Sequence, residues 1–176
     1  AGTSGNPSPI TAFGTFRAME ACVREVFGNE SLAGRKVAVQ GVGNVGYFLT
    51  ERLLEAGAQG YAADIFPEKV QKAVELGARA VSPEDIFDLD CDIFAPCALG
   101  GVINDETVER LKAKIVCGSA NNQLLEERHA MALANHNILY VPDFVANGGG
   151  GNNDAWVLGP GRDNRGFALV KGCRII

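Results

Sequence analysis

The 176-residue chain carries 16 Lys and Arg against 21 Asp and Glu, a formal net charge of −5 and a sequence pI near 5.1. That length predicts one domain, which can bury roughly 70% of its unfolded surface without a disulfide or metal staple. The acidic balance and the absence of any Lys/Arg cluster argue against nucleic acid, and no apolar run approaches the ~20 residues of a membrane span. The cysteines Cys22, Cys91, Cys97, Cys117 and Cys173 are odd in number and show no CxxC spacing. They read as reduced thiols of a cytoplasmic protein rather than a disulfide framework. Ala1 in place of a methionine fits removal of an initiator Met, or a fragment of a longer chain.

In chain order, "NPSPITAFGTFRAMEACVREVFGN" places apolar residues at Ala12, Phe13, Phe16, Met19, Val23, Val26 and Phe27. Steps of three and four predict one amphipathic helix, with Ser8 as cap, Pro9 at its first position and Gly28 as its stop. Five apolar strands then follow, "RKVAVQ", "QGYAAD", "CDIFAP", "KIVCGS" and "NILYVP". Between them lie the helical stretches "NVGYFLTERLLEAG", "FPEKVQKAVELG", "NDETVERLKA" (with Asn104 as cap) and "QLLEERHAMALANH", and the turn "SPEDIF". Strands alternating with helices of 10–15 residues predict an α/β fold, a doubly wound and mainly parallel sheet with helices on both faces. After Asn147 the periodicity ends, and residues 148–176 read as a glycine-rich tail of weak order.

The strongest motif is "VAVQGVGNVGYF", where Gly41, Gly43 and Gly46 form GxGxxG between a strand and a helix. Gly41 serves the tight turn, Gly43 admits a pyrophosphate to the backbone, and Gly46 lets helix and strand approach. Val42, Asn44 and Val45 complete the turn, and the helix start offers free N–H groups to phosphate. Asp64 follows Gly43 by 21 residues at a strand end, where a carboxylate accepts ribose hydroxyls and repels a 2′-phosphate. NAD is therefore expected rather than NADP, and Lys69 reads as a solvated side chain.

Ligands of such sheets bind beyond the carboxyl ends of the strands. There "PCALGG" offers Cys97 and Ala98 as a small apolar wall, "GSANNQ" offers Ala120 and Asn121, and "PDFVANGGGG" offers Asn147. Amides both donate and accept, as a nicotinamide carboxamide and its ribose require. Asn122 reads either as another such amide or as the cap of a helix starting near Gln123. His129 and His136 read as surface residues. No metal ligand set and no catalytic residue are assigned. Two rival readings are a dinucleotide-binding regulatory module without chemistry and a site for another adenosine ligand such as S-adenosylmethionine.

Read together, "SGNPSPITAFG", "VAVQGVGNVGYF", "CDIFAPCALGGVIND", "GSANNQL" and "VPDFVAN" resemble the glutamate/leucine/phenylalanine/valine dehydrogenase family, its leucine-acting members most closely. The resemblance implies a Rossmann-type NAD-binding domain over residues 1–147, with residues 1–28 as a leading helix on the hinge side. It implies NAD-dependent oxidative deamination of a branched-chain L-amino acid to its 2-keto acid, and a homo-oligomer for full-length members. It further implies Thr11 near the nicotinamide carboxamide, Asn121 near its ribose and Asn147 on the substrate side. The resemblance also implies that the family's catalytic lysines and an aspartate lie in an upstream domain expected to be missing here, and no Lys of this sequence matches those motifs. Gly149, Gly150 and Asn153 still follow the family pattern, and from Asp154 nothing does. A shifted reading frame, a natural truncation or an engineered end would each explain that break.

Overall fold

The computed structural model describes residues 6–146 and two further strands at 154–158 and 167–171. The leading helix α1 spans Ser8–Phe27 and ends on Gly28, whose φ of 83° only glycine adopts without strain. Its start differs from the expectation. Pro7 is the cap residue, and the Asn6 side chain accepts the Ser8 N–H at 3.1 Å, so Ser8 lies inside the helix and is buried. Two residues upstream of a helical N–H, a short amide reaches it as well as a hydroxyl cap would.

Strands β1 (Lys36–Gln40), β2 (Gln59–Ala63), β3 (Arg79–Ala80), β4 (Ile93–Pro96), β5 (Ile115–Val116) and β6 (Leu139–Tyr140) form a parallel sheet in the order 3-2-1-4-5-6. Helices α2 (Asn44–Glu55), α3 (Pro67–Leu76), α4 (Asp105–Arg110) and α5 (Arg128–Asn135) connect them, with a 3-10 turn at Asp85–Asp88 and a last turn of helix, α6, at Asp143–Ala146. The short β3 is an element that the sequence pattern does not announce, because both of its residues are exposed.

Two apolar clusters lie on the two faces of this sheet. Val37 and Val39 of β1, Ile93 and Ala95 of β4, and Ile115 of β5 pack with Met19, Leu49 and Leu53 from α1 and α2. The intervening residues Ala38, Phe94 and Val116 pack with Ile86, Val108 and Leu133 on the other face. Alternate residues therefore serve opposite layers, and both layers are apolar, which is why the strands read as continuous apolar runs.

Strand β7 (Asp154–Leu158) pairs antiparallel with β6 at Tyr140 and Leu158, and β8 (Phe167–Lys171) pairs antiparallel with β7 over five positions. β8 falls in "RGFALVKG", where a short β-like turn is expected. An antiparallel pair closes through backbone bonds and suits short β-prone runs such as "DAWVL" and "FALVK".

The second layer also holds a polar cluster. Asn104 caps α4 in a reciprocal capping box, accepting from the Glu106 and Thr107 N–H groups while the Thr107 hydroxyl accepts from the Asn104 N–H. The next residue, Asp105, takes a bidentate contact from Arg128 at 2.6 and 2.7 Å. It also faces Nε2 of His129 at 3.1 Å. The expectation of a surface His129 is wrong: the ring is buried, and its Nδ1 accepts the Glu126 N–H at 3.0 Å. Its neutral form therefore carries the proton on Nε2, where it donates to Asp105. The Arg128 contact first, then His129, hold the Asp105 carboxyl down at about 2. A depressed carboxyl contributes stability that is present above the ordinary carboxylate range and is lost as pH falls through about 2. Asp105 is exposed, so the effect is small. We expect the urea midpoint to fall between pH 4 and pH 2.5, and to fall less in Asp105→Asn. Equal slopes would remove this pair from the acid response.

Candidate functional site

The strand order reverses between β1 and β4, and the crevice beyond their carboxyl ends is the place where such sheets take ligands. Gly41 leaves β1 at φ 95°, and its N–H donates to the Ala63 carbonyl at 2.7 Å. A methyl group on Gly41 would lie 2.5 Å from the Ala98 Cβ, so this position needs glycine for both conformation and space. Gly43 is the cap residue of α2, and among the described residues a methyl there would meet only the Lys69 Nζ, at 3.9 Å. That leaves open room above the turn. Gly46 is buried, and a methyl on it would overlap the Gly41 carbonyl oxygen and press on Cys97. The three glycines thus have three separate physical reasons, as their spacing suggests.

Asp64 faces this turn. One carboxylate oxygen accepts the Val42 N–H and the other accepts the Phe66 N–H, each at 3.0 Å. A carboxylate offers about four lone-pair positions, so two remain for hydroxyl donors from a ligand. Val42 is buried, Val45 packs partly against the first apolar cluster, and Asn44 opens α2 with its side chain exposed.

The neighbouring loops close the crevice. The Cys97 N–H donates to the Gln40 carbonyl at 2.7 Å, and the Ala120 N–H donates to the Pro96 carbonyl at 2.9 Å. Cys97 is half-buried; burial pushes its thiol up, and hydrogen bonding with Ser119 pulls it back. A thiol held protonated is a poor nucleophile, in keeping with a wall residue. Ala98 is exposed on the crevice side, and Ala120 is buried.

Asn121 is exposed, as a ligand-facing amide requires. Asn122 caps no helix: α5 begins only at Arg128, and Asn122 sits at φ 51° with its N–H on the Asp143 carboxylate at 2.8 Å. Asp143 thereby ties the loop after β5 to the loop after β6. Gln123 is fully buried and donates to the Gly118 carbonyl at 2.9 Å, fixing the same loop from within. Neither residue is singled out by the motif reading, since an Asp after a strand and a Gln among amides carry no spacing signal. Thr11 is half-buried on α1, one turn before Gly14 and Thr15. There α1 meets the sheet ends: the Cys117 thiol lies 3.9 Å from the Thr15 carbonyl, and a methyl on Gly14 would lie 3.2 Å from the Ala146 carbonyl. Asn147 lies outside the described residues. No described helix is long and apolar enough to cross a membrane.

Comparison with known proteins agrees with this geometry. The chain is 57% identical over 150 residues to the leucine dehydrogenase of Thermoactinomyces intermedius, covering 85% of this chain and 41% of the relative. It is 48% identical over 149 residues to the L-tryptophan dehydrogenase of Nostoc punctiforme. A solved structure of L-tryptophan dehydrogenase from Nostoc punctiforme superposes with a TM-score of 0.78 at 47% identity, covering 80% of this chain and 43% of that one. The hetero-hexameric glutamate dehydrogenase from Thermus thermophilus gives 0.67 at 26% identity, covering 85% and 38%. The chain therefore spans about two fifths of the length of the relatives it matches. The sequence profile of Glutamate/Leucine/Phenylalanine/Valine dehydrogenase matches residues 2–64 and 66–151, and the chain belongs to that family.

Proposed function

We propose that residues 1–147 are the NAD-binding part of an amino-acid dehydrogenase that deaminates a branched-chain L-amino acid of the leucine type to its 2-keto acid. The observation that carries the cofactor is the Asp64 carboxylate, which braces the glycine turn and keeps lone pairs for ribose hydroxyls. A 2′-phosphate would meet that negative charge, which favours NAD over NADP. The residues present fit the group: room over Gly43, the free N–H groups of a twelve-residue helix, and small side chains along the wall. When bound, NAD supplies the hydride acceptor. The protein's own contribution is orientation. Thr11 is assigned to the carboxamide, Asn121 to the nicotinamide ribose and Asn147 to the substrate side, while Ala98 and Cys97 exclude water beside the ring. The leucine preference rests on the resemblance in "CDIFAPCALGGVIND" and "GSANNQL" and on the identity to leucine dehydrogenases. A cytoplasmic location belongs to the same proposal, supported by the buried thiols Cys22, Cys91 and Cys117.

Titration of the chain with NADH, NADPH and S-adenosylmethionine tests the cofactor. NADH is expected to bind tightest, with the same affinity in a chain shortened to residues 1–147. NADPH or S-adenosylmethionine binding more tightly would overturn it. The chain alone is expected to form no NADH from leucine, because no group in the crevice is assigned to acid–base work worth roughly 10²–10⁴-fold. Restored turnover on mixing with a substrate-binding domain of a family member would support the enzyme reading.

A further inference from the structure

Lys69 is only partly exposed to solvent. It is half-buried in the first turn of α3, and its Nζ lies 4.4 Å from the centroid of the Phe66 ring. The same Nζ is 3.9 Å from the point where a Cβ on Gly43 would sit. The side chain has folded back over the glycine turn. The start of a helix is a poor place for a cation, since the peptide dipoles put positive charge there. Asp64, at the same turn, has its two oxygens on the Val42 and Phe66 N–H groups. The ammonium rests on an aromatic face beside an open space.

That space is the one Gly43 leaves for phosphate. We propose, resting on the dinucleotide reading above, that Lys69 is a pyrophosphate-binding residue, which leaves the Phe66 ring to pair with a phosphate oxygen over Gly43. The α2 N-terminus approaches the phosphate from below with N–H groups, and Lys69 closes it from above with a full charge. A lysine suits this role because its ammonium is a compact charge on a flexible stem, able to shift a few ångströms from ring to oxygen. Pyrophosphate is favoured over a 2′-phosphate because Gly43 opens α2, whereas the ribose hydroxyl position belongs to Asp64.

The test compares Lys69→Met and Lys69→Arg with the unaltered chain by titrating ADP, adenosine, NADH and NADPH at two salt concentrations. Lys69→Met keeps the stem and removes the charge, and its thermal midpoint serves as the folding control. Roughly 3–10-fold weaker binding of ADP, NADH and NADPH is expected. Adenosine should be unaffected, salt dependence should become shallower, and Lys69→Arg should be largely restored. Unchanged ADP and NADH binding would overturn the proposal, and so would a loss confined to NADPH, which would place the charge at a 2′-phosphate. If the unaltered chain bound neither ADP nor NADH, the dinucleotide reading itself would fall, a result distinct from an unaltered chain that binds and a variant that matches it.

Discussion

Gly46→Ala is expected to lower the stability of the chain by about 1–3 kcal/mol, the usual cost of forcing a methyl into filled space. The atom in the way is the Gly41 carbonyl oxygen, which is backbone and cannot rotate aside as a side-chain tip can. On the other side stands the Cys97 Cβ, at 3.4 Å. Relief requires either α2 to lift off the strand ends or the turn to open. Both movements displace Gly43 and the N–H groups around it, so NADH affinity should fall together with the thermal midpoint. At roughly 2–4 °C per kcal/mol for a domain of this size, the midpoint should drop by several degrees. An unchanged midpoint in Gly46→Ala would show that α2 does not pack against the turn as described.

The second large effect belongs to Asp64. Asp64→Ala removes two acceptors at once, from the Val42 and Phe66 N–H groups, and with them the carboxylate proposed for the ribose. NADH binding should weaken by roughly 1–3 kcal/mol, or about 5–150-fold, the range for a lost hydrogen bond to a charged group. Discrimination against NADPH should shrink as well, because the repelling charge is gone. Two readouts separate the two roles. Loss of the brace lowers the midpoint, whereas loss of ribose contact alone leaves it in place. NADH affinity equal to that of the unaltered chain would remove Asp64 from the site.

Much of this site is legible in the sequence because it is local. The turn from Gly41 to Gly46 is contiguous, and its link to Asp64 follows from the length of one βαβ unit, which a single spacing encodes. Asn104 is legible for the same reason, since its capping box closes within three residues. What escapes depends on contacts far along the chain. The buried His129 meets Asp105, 24 residues away, and the Asn122 N–H meets Asp143, 21 residues on. The return of Lys69 to Gly43 is likewise a property of how α3 lies against the turn. The late start of α5 is a related case. Residues 123–125 are taken by the bridge between Ile103 and Leu124, so a helix-like run is claimed by a neighbouring strand segment.

The uneven pairing of the sheet has a kinetic consequence. β1 meets β2 over five register positions and β4 over four, whereas β5 pairs over two with each neighbour and β6 over two with β5 and one with β7. Amide protons of Val37 to Val39 should therefore be the slowest in the molecule to exchange, and those of β5 and β6 should follow local opening of lower cost. The glycine turn and Asp64 both depart from the slow seam, at the ends of β1 and β2. The half of the crevice that would grip adenosine and phosphate is then rigid before a ligand arrives. The loops after β5 and β6, which carry the amides, sit on the strands expected to open more readily. A ligand entering such a crevice would find one end already shaped, and the cost of ordering would fall mainly on the other.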